Sequence, residues 1–174
     1  MKTPFAIHTE AFANLEKARA SYNEAQALAA DAGSKHEAEI NAAAAEGDAP
    51  SKATLTRCAE SSHLASIASR RIEMSKAELE KATAESNASF RAAAEFLRGE
   101  LSNWINANSK SEMERILPSG GNAAQQQAAQ TIIAQSEEAI RANGLLLDLL
   151  NAKNDEHGRM YLQRAADLVA ISRG

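Results

Sequence analysis

The residues best suited to chemistry are Glu60 and His63, which lie three positions apart in a stretch with helical spacing. Three residues along a helix return to the same face, so the carboxylate and the imidazole point the same way. An antiparallel neighbouring helix is expected to bring His36 alongside them. Carboxylate and imidazole are common ligands of divalent metals, so His36, Glu60 and His63 are a candidate metal site.

The alternative for this group is a set of solvated side chains near the tip of a helical hairpin. Di-iron helical bundles carry two Glu-x-x-His motifs and two further glutamates among four helices. The present sequence has one such motif and no fourth long helix, so we favour the solvated alternative and predict no cofactor.

A modestly basic side of the same helical stretch suggests a second kind of chemistry, the binding of nucleic acid. Its candidate residues are Lys52, Arg57, Arg70 and Arg71. Three glutamates interleave with them, at positions 73, 78 and 80, and the net charge of the chain is −4. Proteins that bind duplexes usually carry a strong basic patch, so an ordinary salt-bridged helix surface is the favoured interpretation.

No motif typical of a catalytic centre occurs in the sequence. Nucleophile motifs, a glycine-rich phosphate loop and a Cys-x-x-Cys pair are all missing. We therefore predict a non-enzymatic protein that acts by binding another protein, as an adaptor, assembly factor, scaffold or inhibitor of a larger complex.

Two apolar groups, within residues 96–105 and 145–150, are the best candidates for a partner surface. Core packing explains them if other helices cover them fully. If the cover is incomplete, they form a docking surface for a partner helix or for a second copy of the chain. The candidate residues are Phe96, Leu101, Trp104, Ile105, Leu146 and Leu149.

Composition indicates an all-α protein. The 174 residues include 39 alanines and only one valine. Alanine is the best helix former, whereas β-branched residues favour strands. With few large apolar residues, the helices should pack closely through Ala and Ser, or a partner should bury more surface.

The spacing of apolar residues predicts one domain, an elongated antiparallel three-helix bundle or set of helical hairpins around one long central helix. The expected bounds are 4–46 for the first helix, 50–107 for the central helix, 110–117 for a short helix and 122–172 for the third long helix. The first helix is expected to be continuous or kinked at Gly33, with a break there as the alternative, and the third could break at Gly144 and Gly158.

The short turn around Gly47 and Pro50 makes the first two helices antiparallel. Equal rise along both then pairs residues whose numbers sum to about 97, such as Tyr22 with Ser75. The third helix should return along the central one, so that three helices overlap at about residues 65–92.

Location is inferred from what the sequence lacks. Cys58 is the only cysteine, which favours a reducing compartment. The first residues lack the apolar core of a secretory signal, and the densest apolar run, at 145–150, is too short to span a bilayer. We expect a soluble cytoplasmic protein with no membrane partner.

Overall fold

The computed structural model describes residues 2–171, which form five helices and no strand. This confirms the predicted all-α fold, a helical bundle with one long helix. The helices are α1 (Pro4–Ala45), α2 (Lys52–Ile116), α3 (Ala123–Ala134), α4 (Glu137–Asn151) and α5 (Glu156–Ile171).

Residue contacts divide the chain into two compact units. The hairpin unit comprises residues 11–85, which hold most of α1 and the first half of α2. Within the described residues, the bundle unit comprises 2–10 and 86–171, which hold the start of α1, the second half of α2 and all of α3 to α5.

Side-chain hydroxyls cap the starts of α1 and α2. The Thr3 hydroxyl accepts a hydrogen bond from the Ala6 amide at 3.2 Å, and the Ser51 hydroxyl accepts one from the Thr54 amide at 3.2 Å. Between the helices Gly47 has φ +80, a left-handed conformation that glycine adopts at little cost. The predicted turn between α1 and α2 is therefore present at residues 46–51, with Gly47 in a conformation that favours glycine.

The first helix is continuous, as predicted, because Gly33 lies inside α1 without breaking it. A glycine in a helix interior costs about 1 kcal/mol relative to alanine. Good helix formers on either side of Gly33 offset that cost.

The predicted end of the central helix at residue 107 is wrong, since α2 continues to Ile116. The predicted short helix at 110–117 is instead the last part of α2. Asn108, Ser109 and Ser111 are only modest helix formers, each costing well under about 1 kcal/mol relative to alanine. Neither glycine nor proline occurs between Gly99 and Pro118, so nothing stops the helix earlier.

The predicted third long helix, 122–172, is three separate helices. The first begins as expected, because Asn122 and Gln125 form a reciprocal capping box with hydrogen bonds of 3.0 and 2.9 Å. It ends at Ala134, and Ser136 then caps α4 by accepting a hydrogen bond from the Ala139 amide.

The possible break at Gly144 does not occur, because this residue lies inside α4. The second break falls at residues 152–155, just before Gly158. There the Asn154 amide donates hydrogen bonds to Ser86 Oγ and Asn87 Oδ1, both at 2.9 Å. These bonds hold the turn against α2 and allow α5 to fold back along α4.

The predicted three-helix overlap at residues 65–92 is therefore wrong for residues 65–85. These residues belong to the hairpin unit, which contains only parts of α1 and α2. Because α5 reverses direction after Asn151 and packs on α4, it stays within the bundle unit.

Within the hairpin unit, α1 and α2 pair in the predicted register. His36 Nδ1 and Ser61 Oγ share a hydrogen bond of 2.9 Å, and the Cys58 thiol donates to the Glu39 carbonyl at 3.2 Å. The residue numbers of both pairs sum to 97. Small side chains line this contact, and the residues buried there are Leu15, Ala25, Thr54, Ser61 and Ser75.

The bundle unit has a core of larger side chains. Its buried cluster consists of Phe90, Ala93, Ala94, Leu97 and Leu101 on α2, Leu145 and Leu149 on α4, and Leu162, Ala165 and Val169 on α5. Helices α2, α4 and α5 therefore share one apolar centre.

His8 and Gly158 mark tight packing around Phe90 in the bundle unit. His8 is buried, lies edge-on to the Phe90 ring at 5.4 Å between centroids, and shares a hydrogen bond with Ser89 at 3.2 Å. Burial, together with the positive charge of Arg159, lowers the pKa of His8. A side-chain carbon added at Gly158 would lie 1.8 Å from the Lys153 carbonyl oxygen, so only glycine fits there.

Candidate functional site

The structure places the predicted partner residues mostly in the core of the bundle unit. Leu101 and Leu149 are buried, and Phe96 and Leu146 pack against the buried cluster while partly exposed. These side chains already pack within the chain, so little of their surface remains for contact with another protein.

The other two predicted partner residues, Trp104 and Ile105, are half-buried. Ile105 lines a cleft of about 530 Å³ between the end of α2 and the helices α3 and α4. The floor of this cleft includes Met113 and Ile133. It is open to solvent and apolar, and its walls belong wholly to the bundle unit.

Helix α4 has an exposed apolar face that the sequence reasoning missed. Ile140, Leu147 and Leu150 are 60%, 63% and 57% exposed. The buried residues of the same helix, including Leu145 and Leu149, lie on its other side and fill the core. The spacing of these exposed residues, seven and then three positions, was present in the sequence, but the apolar run at 145–150 conceals it because that run supplies residues to both faces.

The hairpin unit has a second exposed apolar surface. An ion pair of 3.2 Å joins Arg71 on α2 to Glu24 on α1. Because the helices are antiparallel, one turn forward along α1 and one turn back along α2 from this pair lead to Leu28 and Ile67. Both are therefore expected at the same level of the hairpin.

Two further apolar residues lie on the same side of α2. Leu64 is seven residues before Arg71, which is two helical turns, and Met74 is seven residues after Ile67. We call this surface the Ile67 face; its four residues are Leu28, Leu64, Ile67 and Met74, which are 41–68% exposed. A groove of 380 Å³ runs beside it, lined by Ser21, Ile67, Arg70, Arg71, Met74, Ser75 and Glu78.

The predicted nucleic-acid residues are spread along α2 and partly neutralised. Arg57 forms an ion pair with Glu39 at 3.0 Å, as Arg71 does with Glu24. Lys52 and Arg70 are exposed. The binding of nucleic acid stays a prediction, and these ion pairs weaken the basic character on which it depends.

The predicted metal ligands do not form a cluster. His36 is hydrogen-bonded to Ser61, while Glu60 and His63 are exposed. Across residues 2–171 no group of three or more His, Cys, Asp and Glu side chains is arranged to hold a metal ion. His36 uses its ring nitrogen to join α1 to α2, so its place in the fold is explained without a metal.

Searches against protein-family models, curated proteins and solved structures found no match for this chain. Among the described helices, none combines the length and the apolar character needed to cross a bilayer. The exposed apolar face of α4 and the Ile67 face are candidate interaction surfaces.

Proposed function

We propose that this is a non-enzymatic protein-binding protein and that the Ile67 face docks a helix of another protein. The supporting observations are the exposure of Leu28, Leu64, Ile67 and Met74 and their helical spacing, from which we expect them on one side of the two-helix unit. A helix laid along the neighbouring groove would turn the two-helix packing into a three-helix one. Docking of an amphipathic helix into an apolar groove is a common mode of recognition.

The size of the Ile67 face sets a limit on what apolar burial can contribute. Fully burying a Leu, Ile or Met side chain stabilises by about 1.5–3 kcal/mol. About half of each side chain is still exposed, so the four together contribute roughly 3–6 kcal/mol. Association itself costs at least about 4 kcal/mol, so polar contacts must add to the affinity.

Arg70 is the group that specifies the chemistry of those polar contacts. It is exposed and lines the groove next to Ile67 and Met74, whereas Arg71 is already paired with Glu24. The partner that fits is an amphipathic helix with Leu or Ile along one face and Asp or Glu beside it. The acidic side chain would pair with Arg70 at the edge of the groove.

Site-specific photo-crosslinking in the native host tests this proposal. A benzophenone amino acid placed at Ile67 should form an adduct with one particular protein, and the crosslinked peptide should be an amphipathic helix with acidic residues. The same amino acid at Lys76, which is exposed on α2 outside the groove, is the matched control and should give no such adduct.

Two binding variants complete the test. Met74→Asp should lower the affinity of the crosslinked protein at least tenfold, while Leu55→Asp, at another exposed position of α2 outside the groove, should leave it unchanged. The proposal is refuted if position 67 gives no adduct, or if Met74→Asp binds as tightly as the unaltered protein.

A further inference from the structure

Helix α4 carries large apolar residues on two different faces, one buried and one exposed, although it lies at the surface of the bundle unit. Its inner side, with Leu145 and Leu149, fills the core. Its outer side carries Ile140, Leu147 and Leu150, each more than half exposed. Exposed apolar residues grouped on one face of a helix mark interaction surfaces, so the outer side is expected to have a partner.

The outer side has the spacing of a coiled-coil seam. Ile140, Asn143, Leu147 and Leu150 follow one another at steps of three, four and three residues, the spacing of a and d positions in a heptad repeat. Such a stripe packs against a similar stripe on one other helix.

The order of the residues in this stripe points to a second copy of α4 as that other helix. Read backwards, the steps are again three, four and three, so the stripe matches itself in the opposite direction. An antiparallel copy of α4 would place Ile140 against Leu150 of the copy, and Asn143 against Leu147 of the copy. An interface around a two-fold axis requires such self-complementarity, since each residue of the patch meets a residue of the same patch.

Charges at the two ends of α4 favour the same direction. Glu137 and Glu138 occupy its first turn, and Lys153 follows its last residue, Asn151. An antiparallel copy brings the end of α4 that precedes Lys153 close to the start of the other α4, which carries Glu137, at both ends of the pair. A parallel copy would place the four glutamates together at one end, and the helix dipoles would also be aligned unfavourably.

We infer that a second copy of this chain covers the outer side of α4, through an antiparallel α4–α4 contact with Ile140 opposite Leu150. The contact spans two heptads and is small, so the dimer is expected to be weak and concentration-dependent. It uses a different surface from the Ile67 face, and it does not depend on the function proposed above.

Sedimentation velocity across a concentration series measures the association. The mass should rise from 18.5 kDa towards twice that value as the protein concentration passes about 100 μM, in the range of weak complexes. Leu147→Glu should raise the dissociation constant at least tenfold. Leu64→Glu, which places the same charge on the Ile67 face, is the matched control and should leave it unchanged.

Disulfide formation then tests the direction of the pair. In a Cys58→Ser background, Asn143→Cys and Leu147→Cys proteins should form a mixed disulfide faster when combined than either forms a disulfide alone. A parallel pair would instead favour Leu147→Cys alone.

Three outcomes would overturn the inference: a monomer at every concentration, association unaffected by Leu147→Glu, or faster disulfide formation by a single variant than by the mixture. None of these bears on photo-crosslinking from Ile67, so the failure of one proposal is distinguishable from the failure of the other.

Discussion

The hairpin unit and the bundle unit treat their large apolar residues differently. In residues 11–85, six of the eleven Leu, Ile, Met, Phe and Tyr side chains are exposed. In residues 2–10 and 86–170 the proportion is six of twenty-two. The same chain thus has one unit with a small-residue contact and one with a core of Leu and Phe.

The number of neighbouring helices explains this difference. A helix with a single neighbour can bury only the residues along one narrow stripe, and in the hairpin unit that stripe is mostly Ala, Ser and Thr. In the bundle unit α2 meets both α4 and α5, so a wider side of it is covered. The large apolar side chains of the hairpin unit therefore stay exposed because few helices are there to cover them. Their apolar surface is available for contact with a partner.

Truncating one leucine in each unit is expected to give the largest difference between the two units, measured as the loss in free energy of unfolding. Leu101→Ala should lower the free energy of unfolding by about 2–5 kcal/mol, because Leu101 is fully buried and a cavity remains. Leu64→Ala should change it by less than about 0.5 kcal/mol, because this side chain is 59% exposed.

Trp104, the only tryptophan, lies in the bundle unit and makes its unfolding visible by fluorescence. Urea titrations followed by Trp104 fluorescence and by far-UV circular dichroism would measure both leucine variants. Equal losses from Leu101→Ala and Leu64→Ala would contradict the contrast between the two units.

Two glycine substitutions should change the stability of the two units in opposite directions. Gly158→Ala should destabilise the bundle unit by about 1–3 kcal/mol or more, because the added carbon meets the backbone of Lys153. Gly33→Ala should stabilise the hairpin unit by up to about 1 kcal/mol, since the space around Gly33 is open and alanine is the better helix former. Thermal unfolding followed by circular dichroism would show a lower midpoint for the first and a higher one for the second.

Acid should weaken the bundle unit through His8, which we expect to be the smallest of the three effects. The pKa of His8 is lowered in the folded protein, so below about pH 6.5 the unfolded chain binds a proton more readily than the folded one. The stability contributed by neutral His8 is present above that pH and is lost as the pH falls.

Urea titrations monitored by Trp104 at pH 7.5 and 5.5 would measure the effect of acid. His8→Leu should flatten the dependence on pH, whereas the exposed control His63→Gln should keep it. An unchanged slope in His8→Leu would show that other groups cause the effect.

Local chemistry made much of the fold predictable from the sequence. Thr3, Ser51 and Asn122 are of residue types that favour helix starts and each acts as a cap, and Gly47, at the predicted turn, adopts a left-handed conformation. The antiparallel register followed from one short turn and the constant rise of a helix. These features depend only on residues close together in the chain or on simple geometry.

Long-range packing decided the features that the sequence did not reveal. Ser136 caps α4 without a neighbouring glycine or proline, so the break was hidden, although the two acidic residues after it are typical of a helix start. The turn at Asn154 is held by Ser86 and Asn87, nearly seventy residues earlier. Which apolar residues stay exposed depends on such contacts, and this is why Leu147 and Leu150 were missed and Leu146 and Leu149 were chosen.

The small side chains between α1 and α2 also affect how the two helices find their alignment. Ala25, Ser61 and Ser75 form shallow ridges, so a hairpin displaced by one helical turn would pack almost as densely as the native one. Polar groups that meet in only one alignment of α1 and α2 must then distinguish the native hairpin from a displaced one. The pairs Glu24–Arg71, Glu39–Arg57 and His36–Ser61 are such groups. Each exposed ion pair is worth at most about 1 kcal/mol, but a slip would lose all of these contacts at once.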